Sequence, residues 1–427
     1  MSGPQAGFQI IPPAIRRGNG NAADRDKVVT LYDVARLAGV STATVSRVVH
    51  GQDRVREATR IRVRQAIEEL GYVPDGAAQS LSRRRKDVIG MVCVEREAQQ
   101  YDIENMNLLF YDEVLRGVES RIRDQEWSLL ITFLQGANDP SFPRLESFSG
   151  KVDGILIGEG IVPDRFVERM AARVPLVIFA GTPDERVADV VTADNFSGSA
   201  AVVTHLIRDH GRRRLFFVNG PADSPDTRER RLGLEHVLQL HPDCQLIGSH
   251  QGFYSVRSGE EAGERLVAMR REDLPDAVVS ANDQMAIGVL KALARAGIRV
   301  PEDIAVTGFD DIFPGSLCDP ALTTVHQPMR LMGEQACARL LDRIASPSLA
   351  PTIKLLPTEL VLRSSCGCPP GTVIRLPVET LKVARTRSAA APRGSRGASS
   401  RTSRDPRIVA DPKTPKVPRP ARQAAKA

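Results

Sequence analysis

Between Thr30 and Gly51 the chain reads TLYDVARLAGVSTATVSRVVHG, and no other stretch of the 427 residues constrains its own fold so tightly. Thr30 is a good N-cap and Asp33 stands at the third helical position, so a first helix has a written start. Val34, Leu37 and Ala38 recur at helical spacing and are expected on its buried face. Gly39 supplies the left-handed residue that ends this helix, Val40 plugs the corner, and Ser41 caps a second helix running to about His50. Val45 and Val48 face inward on the second helix, which turns its small polar residues outward. Two short helices joined by a tight glycine turn form a helix-turn-helix, whose second helix suits the major groove of DNA. Such pairs also occur in proteins that never touch DNA, so the rest of the chain has to support the reading.

Charge supplies part of that support. The net charge is +6, but its distribution is uneven: +2 over residues 1–29, +5 over 30–86, −12 over 87–368 and +11 from 369 onward. An acidic body with basic ends suits a protein that offers only its ends to a polyanion. No run of eighteen apolar residues spans a membrane, and the first twenty residues lack a secretory signal, so a cytoplasmic, nucleoid-associated location is expected. The six cysteines, at 93, 244, 318, 337, 366 and 368, show no disulfide framework. Cys366-Gly-Cys368 has no evident partner pair to complete a zinc site, so all six are read as ordinary thiols, with no metal and no cofactor. No nucleophile motif, phosphate loop or metal-ligand spacing points to an enzyme.

Glu57 to Leu70 places Ile61, Ala66, Ile67 and Leu70 on one face, a third helix closing a small all-α domain, and Gly71 ends it. From Val88 short apolar runs alternate with amphipathic segments. Val88–Val94, Ser128–Thr132, Gly154–Ile157, Pro175–Phe179 and Val190–Thr192 read as buried parallel strands. Leu215–Val218, Gln245–Ile247, Ala277–Val279 and Ile304–Gly308 form a second set. Two such runs predict an α/β core of two doubly wound parallel-sheet lobes.

The stretch from Thr30 to Gly51 resembles the LacI/GalR family of bacterial transcription regulators, and the resemblance extends over roughly residues 29–368 through VDGILI, VPLVIF, ADNFSGS, PDAVVSANDQMAIGVL and IAVTGFDD. It implies a periplasmic-binding-protein-like core with a ligand cleft between the lobes. The resulting domain layout is a disordered extension (1–29), a helix-turn-helix domain (30–74), a hinge helix and linker (75–86), a two-lobed effector-binding and dimerisation domain (87–368) and a disordered basic tail (369–427). Arg56 departs from the family by standing where a capping Ser is usual, so the third helix is expected to fray at its start.

Carried over by position, the resemblance puts Thr42, Ala43 and Arg47 at base edges, with Arg47 suited to guanine, and Thr30, Tyr32, Ser41, Thr44, Ser46 and His50 on phosphates. Ala78 and Leu81 match the minor-groove hinge, and Arg83 to Lys86 fit a DNA-proximal tether. In the cleft, Arg230, Tyr254, Asn282, Asp310 and Gln327 match effector positions, with Tyr254 either an aromatic platform or a core residue. Ala180 stands where some sugar-responsive members carry Asp, and Glu95 to Met106 is longer than usual. The partners implied are a pseudo-palindromic double-stranded DNA operator, a second copy of the chain and a small-molecule effector, a carbohydrate or related metabolite. A regulator whose core has lost its ligand and a solute-binding protein remain open alternatives.

Overall fold

The structure, a computed structural model, describes residues 29–49, 55–72, 85–94, 107–134, 142–158, 164–181, 188–371 and 373–381. The expectations for the N-terminal extension, His50, the hinge residues Ala78 and Leu81, the 95–106 segment and the chain beyond 381 lie outside these residues.

Helices α1 (Leu31–Ala38), α2 (Thr42–Val49) and α3 (Glu57–Leu70) pack around Val34, Ala35, Ala38, Val45, Val48, Val63 and Ala66. The start of α1 is fixed by the Asp33 carboxylate, which accepts from both the backbone N–H (3.0 Å) and the hydroxyl (2.7 Å) of Thr30. Gly39, at φ 63°, turns the chain, and the N–H of Val40 returns to the carbonyl of Ala35. Ser41 then caps α2 by accepting from the Thr44 N–H. Two details correct the reading from periodicity. Leu37 is 46% and Ile61 48% exposed, because Ala35 on α1 and Val63 on α3 take the inner positions instead. Arg56 makes no side-chain cap, yet α3 forms, with Glu57 paired to Arg60.

The first lobe is built on a six-stranded sheet in the order β11-β5-β4-β3-β1-β2, every described pairing parallel. Its strands are β1 (Val88–Val94), β2 (Ser128–Leu134), β3 (Gly154–Gly158), β4 (Leu176–Phe179), β5 (Asp189–Ala193) and β11 (Ile353–Leu356). Helices cover both faces: α4 (Asn107–Ile122) and α12 (Met329–Ala345) on one, α5 (Phe142–Ser149) and α6 (Asp164–Ala171) on the other. Alternation within β1 shows why the central strands read as continuous apolar runs: Ile89 and Met91 join the first core and Val92 the second, so no face is left for polar residues. Strand β2 departs from the expectation of burial. It is the sheet edge, and Leu130, Ile131 and Phe133 are 37–46% exposed.

The second lobe carries the parallel sheet β7-β6-β8-β9, from β6 (Arg214–Asn219), β7 (Gln245–Gln251), β8 (Ala277–Ser280) and β9 (Ala305–Thr307). Around it lie α7 (Asn195–Arg208), α8 (Pro225–Leu240), α9 (Val256–Val267), α10 (Asp283–Arg295) and the short α11 (Phe313–Ser316). Phe216 and Phe217 are fully buried in its core, each contributing about 2–3 kcal/mol relative to exposure. A small antiparallel sheet, β10 (Thr324–His326), β12 (Glu359–Leu362) and β13 (Ile374–Pro377), completes it. The chain therefore passes between the lobes three times: from β5 to α7 at Asp194, from β10 to α12 at Gln327 and Pro328, and from β11 to β12 at residues 357–358.

Two further expectations change. The fold does not stop at Cys368, since β13 pairs with β12 and the N–H of Leu381 donates to Ser197 Oγ, at 2.9 Å. Cys366 and Cys368 do have neighbours of metal-ligand type: the end of α7 brings His205 and His210 against them.

Candidate functional site

On α2, Val45 and Val48 point into the three-helix core, so the helix presents the opposite face. Ala43 and Arg47, one turn apart, are exposed there, with Thr42 and Ser46 half-exposed beside them. Thr30 and Ser41 are exposed, Thr44 is half-exposed with its hydroxyl 2.9 Å from that of Ser41, and Tyr32 projects at 76% exposure. The described residues predicted to meet DNA thus stand at the N-terminal ends and outer faces of the first two helices, where the helix dipole and exposed hydroxyls favour an anion. Arg85 and Lys86 are committed elsewhere than to the predicted tether. The Arg85 guanidinium lies 4.5 Å above the Trp127 ring, while Lys86 donates from its backbone to Asp153 and from Nζ to the Val152 carbonyl.

Between the lobes, Arg230 is the hub. It sits in the second turn of α8, whose start is set by the Ser224 side chain and Pro225, and it is 3% exposed. Its Nε donates to Asn195 Oδ1 (2.8 Å), one terminal nitrogen to the Ala281 carbonyl (2.5 Å) and the other to Gln327 Oε1 (3.3 Å). The Asp310 and Asp226 carboxylates lie 3.4 and 3.8 Å away, and the guanidinium stacks 3.8 Å from the centre of the Phe309 ring. Second contacts close the network: Asn195 donates to Asp226 (3.0 Å) and Gln327 to Asp310 (3.1 Å). Asn195 opens α7 just after the first crossing and Gln327 lies on the second, so a single cation ties two passages between the lobes.

Arg230, Asp310 and Gln327, predicted from position, are thus directly joined. Asn282 is not: its Oδ1 caps α10 at Met285, its amide donates to Gln284 and the Tyr254 carbonyl, and only its neighbour Ala281 reaches Arg230. Tyr254, at φ 61°, packs partly buried against the core, with its hydroxyl between Ser224 (2.9 Å) and Thr227 (2.6 Å). Ala180 is buried in a left-handed conformation after β4. Sequence reasoning missed Asn195, Asp226 and Phe309. The one accessible signal was Asp226 and Arg230 at i and i+4 on a helix.

Two carboxylates beside the network are pushed in opposite directions. Burial and the nearby Asp310 charge push Asp283 well above the usual carboxylate range, while it accepts from the Thr324 hydroxyl and the Ile312 N–H. Burial also disfavours ionised Asp311, but hydrogen bonds from His326, Arg363 and Arg375 outweigh it and hold its carboxyl at about 2.

A helix-turn-helix joined to two doubly wound lobes, with a buried polar network at their crossings, defines the class of DNA-binding regulators with a ligand-receiving core. Residues 30–75 match the family described as bacterial regulatory proteins, lacI family, and residues 203–366 match the periplasmic binding protein-like domain. The chain is 34% identical over 329 residues to the ribose operon repressor of Escherichia coli strain K12, covering 75% of this chain and 95% of that protein. Among solved structures it is similar to the Lac repressor dimer bound to operator and the anti-inducer ONPF, 29% identical, with a TM-score of 0.69, covering 80% of this chain and 99% of that one. A complex of the transcriptional regulator CelR with cellobiose is 32% identical, with a TM-score of 0.57, covering 79% and 99%. The chain belongs to the lacI family: it is a DNA-binding transcriptional repressor switched by a small-molecule effector.

Proposed function

We propose that the protein acts as a cytoplasmic, nucleoid-associated homodimer on a pseudo-palindromic operator, with α2 of each copy in the major groove. Arg47 donates two hydrogen bonds to a guanine, Thr42 and Ala43 meet neighbouring base edges, and Thr30, Tyr32, Ser41, Thr44, Ser46 and His50 hold phosphates. Leu81, beside Ala78, wedges into the minor groove between the half-sites. The dimer is supported by the apolar edge strand β2 in the first lobe and by Phe313 and Leu317, 73% and 69% exposed, in the second. The effector binds between the lobes and the protein has no catalytic role.

The observation that carries the switch is the Arg230 network at the crossings. A ligand that accepts from Arg230 and Gln327 and donates to Asp310 trades these bonds against those holding the crossings, and so biases the angle between the lobes. Guanidinium, carboxylate and carboxamide groups together grip vicinal hydroxyls, and cellobiose occupies the CelR relative, so the effector class is carbohydrate. The test is selection of bound sequences from random duplex DNA by purified protein, with and without a panel of sugars and nucleobases. A pseudo-palindrome whose enrichment changes with one sugar supports the reading. A nucleobase response replaces the effector class, and enrichment indifferent to every compound overturns the switch.

A further inference from the structure

At the far end of α7 from the crossings, four side chains converge that neither DNA binding nor effector binding uses. His205 is buried in the last turn of α7, His210 follows it, and Cys366 and Cys368 flank Gly367 just after β12. Cys366 Sγ lies 3.5 Å from His205 Nε2, and Cys368 Sγ lies 3.6 Å from both His205 Nε2 and His210 Nε2. The two imidazole nitrogens are 3.1 Å apart, and all four ligand atoms fall within 4.8 Å of one another. We propose that His205, His210, Cys366 and Cys368 form a structural zinc site.

The distances fit a metal tetrahedron. With Zn–S near 2.3 Å and Zn–N near 2.0–2.1 Å, tetrahedral geometry requires S···N edges of about 3.5–3.6 Å and an N···N edge of about 3.3 Å. Three of the four S···N separations lie on that value, the N···N separation is slightly short, and the remaining S···N and S···S edges fall within 4.8 Å.

The chemistry of the donors points the same way. His205 Nδ1 is 2.6 Å from the Asp209 carboxylate, which can only accept, so Nδ1 carries a proton and Nε2 is the nitrogen turned to the two sulfurs. A carboxylate behind a histidine, fixing its tautomer and raising its basicity, is the usual support of a metal-bound imidazole. Two thiolates and two imidazoles suit a borderline-soft divalent ion, and each thiol releases its proton to solvent as the ion binds.

The backbone is also shaped for the arrangement. Gly367 adopts φ 115°, and a Cβ there would approach His210 Nδ1 to 2.9 Å, so glycine lets the turn wrap the ring and present both sulfurs to the same side. Four protein ligands leave no open position, which makes the site structural. It clamps the turn after β12 to α7, and the ten residues from Asn195 to His205 along α7 separate it by about 15 Å from the effector network.

The test uses the full-length protein, produced without a histidine tag and dialysed without chelator. Elemental analysis is expected to give one zinc per chain. Cobalt in place of zinc is expected to give the visible bands of a tetrahedral ion with thiolate charge transfer. Cys368→Ser and His210→Gln alter the half-exposed side of the cluster, so they should stay folded by circular dichroism while their zinc falls at least tenfold. Wild-type protein without stoichiometric zinc, a Cys366–Cys368 disulfide in the native protein, or a full equivalent of zinc in both variants overturns the site.

Discussion

The Nε of Arg230 donates to Asn195 Oδ1 at 2.8 Å, and through this bond α8 holds the residue just after the point where the chain first crosses from one lobe to the other. The same guanidinium reaches Gln327 on the second crossing. Local helix geometry sets Arg230 one turn after Asp226, and the fold adds partners more than thirty residues away on either side.

Replacing Arg230 by Met removes the cation shared by Asp226 and Asp310. The unfolding free energy is expected to fall by about 3–5 kcal/mol, as when one partner of a buried ion pair is lost. Asn195→Ala, which keeps the cation and deletes one hydrogen bond to it and one to Asp226, should cost less, about 1.5–3 kcal/mol. Urea titrations of the two variants check this, and equal losses would show that Arg230 is not the hub.

Asp311 makes stability depend on acid. Its side chain is 5% exposed and lies 2.6 Å from both Arg363 and Arg375, which hold its carboxyl near 2, below the ordinary value of 3.8. A depressed carboxyl stabilises fully above its unfolded value and loses that contribution as pH falls through its folded value, here from about 4 to about 2. The loss amounts to roughly 2 kcal/mol. Thermal unfolding of wild type and Asp311→Asn from pH 6 to 2 should show the gap between them closing across that window. A constant gap would mean that the ion pairs do not set the slope.

The parts of this molecule legible in the sequence are those dictated by local chemistry. The cap at Thr30 and Asp33, the turn at Gly39 and the strand runs read correctly because neighbours a few residues apart decide them. Leu37 and Ile61 did not, because helix crossing rather than periodicity decides which residue of an apolar pair is covered. Strand β2 looked buried because Leu129 to Ile131 are as apolar as a central strand, and only sheet order reveals an edge. Arg230, Asp310 and Gln327 were found by position, whereas Asn195 entered only when the fold placed it across from α8. His205 and Cys366 are 161 residues apart, so no ligand spacing in the sequence pairs them.

Asp189 on β5 bolts α12 and β11 to the first lobe. It is fully buried and accepts from Nε of Arg339 (2.7 Å) and Arg343 (2.5 Å) and from the N–H of Thr352 (2.8 Å). Burial raises its carboxyl, but these donors outweigh burial and hold it below the usual range. Asp189→Ala strands two partly buried guanidinium groups and is expected to cost about 3–5 kcal/mol. Arg339→Ala, which leaves Arg343 in place, should cost less than half as much. Chemical denaturation orders the two, and the reverse order would contradict the central role of Asp189.

The two basic surfaces of the chain should separate in a binding experiment. Arg47 is exposed on the outer face of α2, where one guanidinium to guanine discriminates by about 1–3 kcal/mol. Arg47→Ala is therefore expected to flatten preference among operator variants at one position per half-site, while leaving the dependence on salt nearly intact. The basic tail should do the opposite, since contacts to phosphates carry no sequence and release counterions. Its removal has to begin at residue 382 rather than 369, because Arg375 on β13 is paired with Asp311 and Leu381 is bonded to Ser197. Binding of wild type, Arg47→Ala and the chain truncated after Leu381 to a selected operator and its mismatches, at several salt concentrations, distinguishes the two contributions. A truncation that changes sequence preference, or an Arg47 variant that changes only the salt slope, would reverse the assignment of which surface reads and which merely holds.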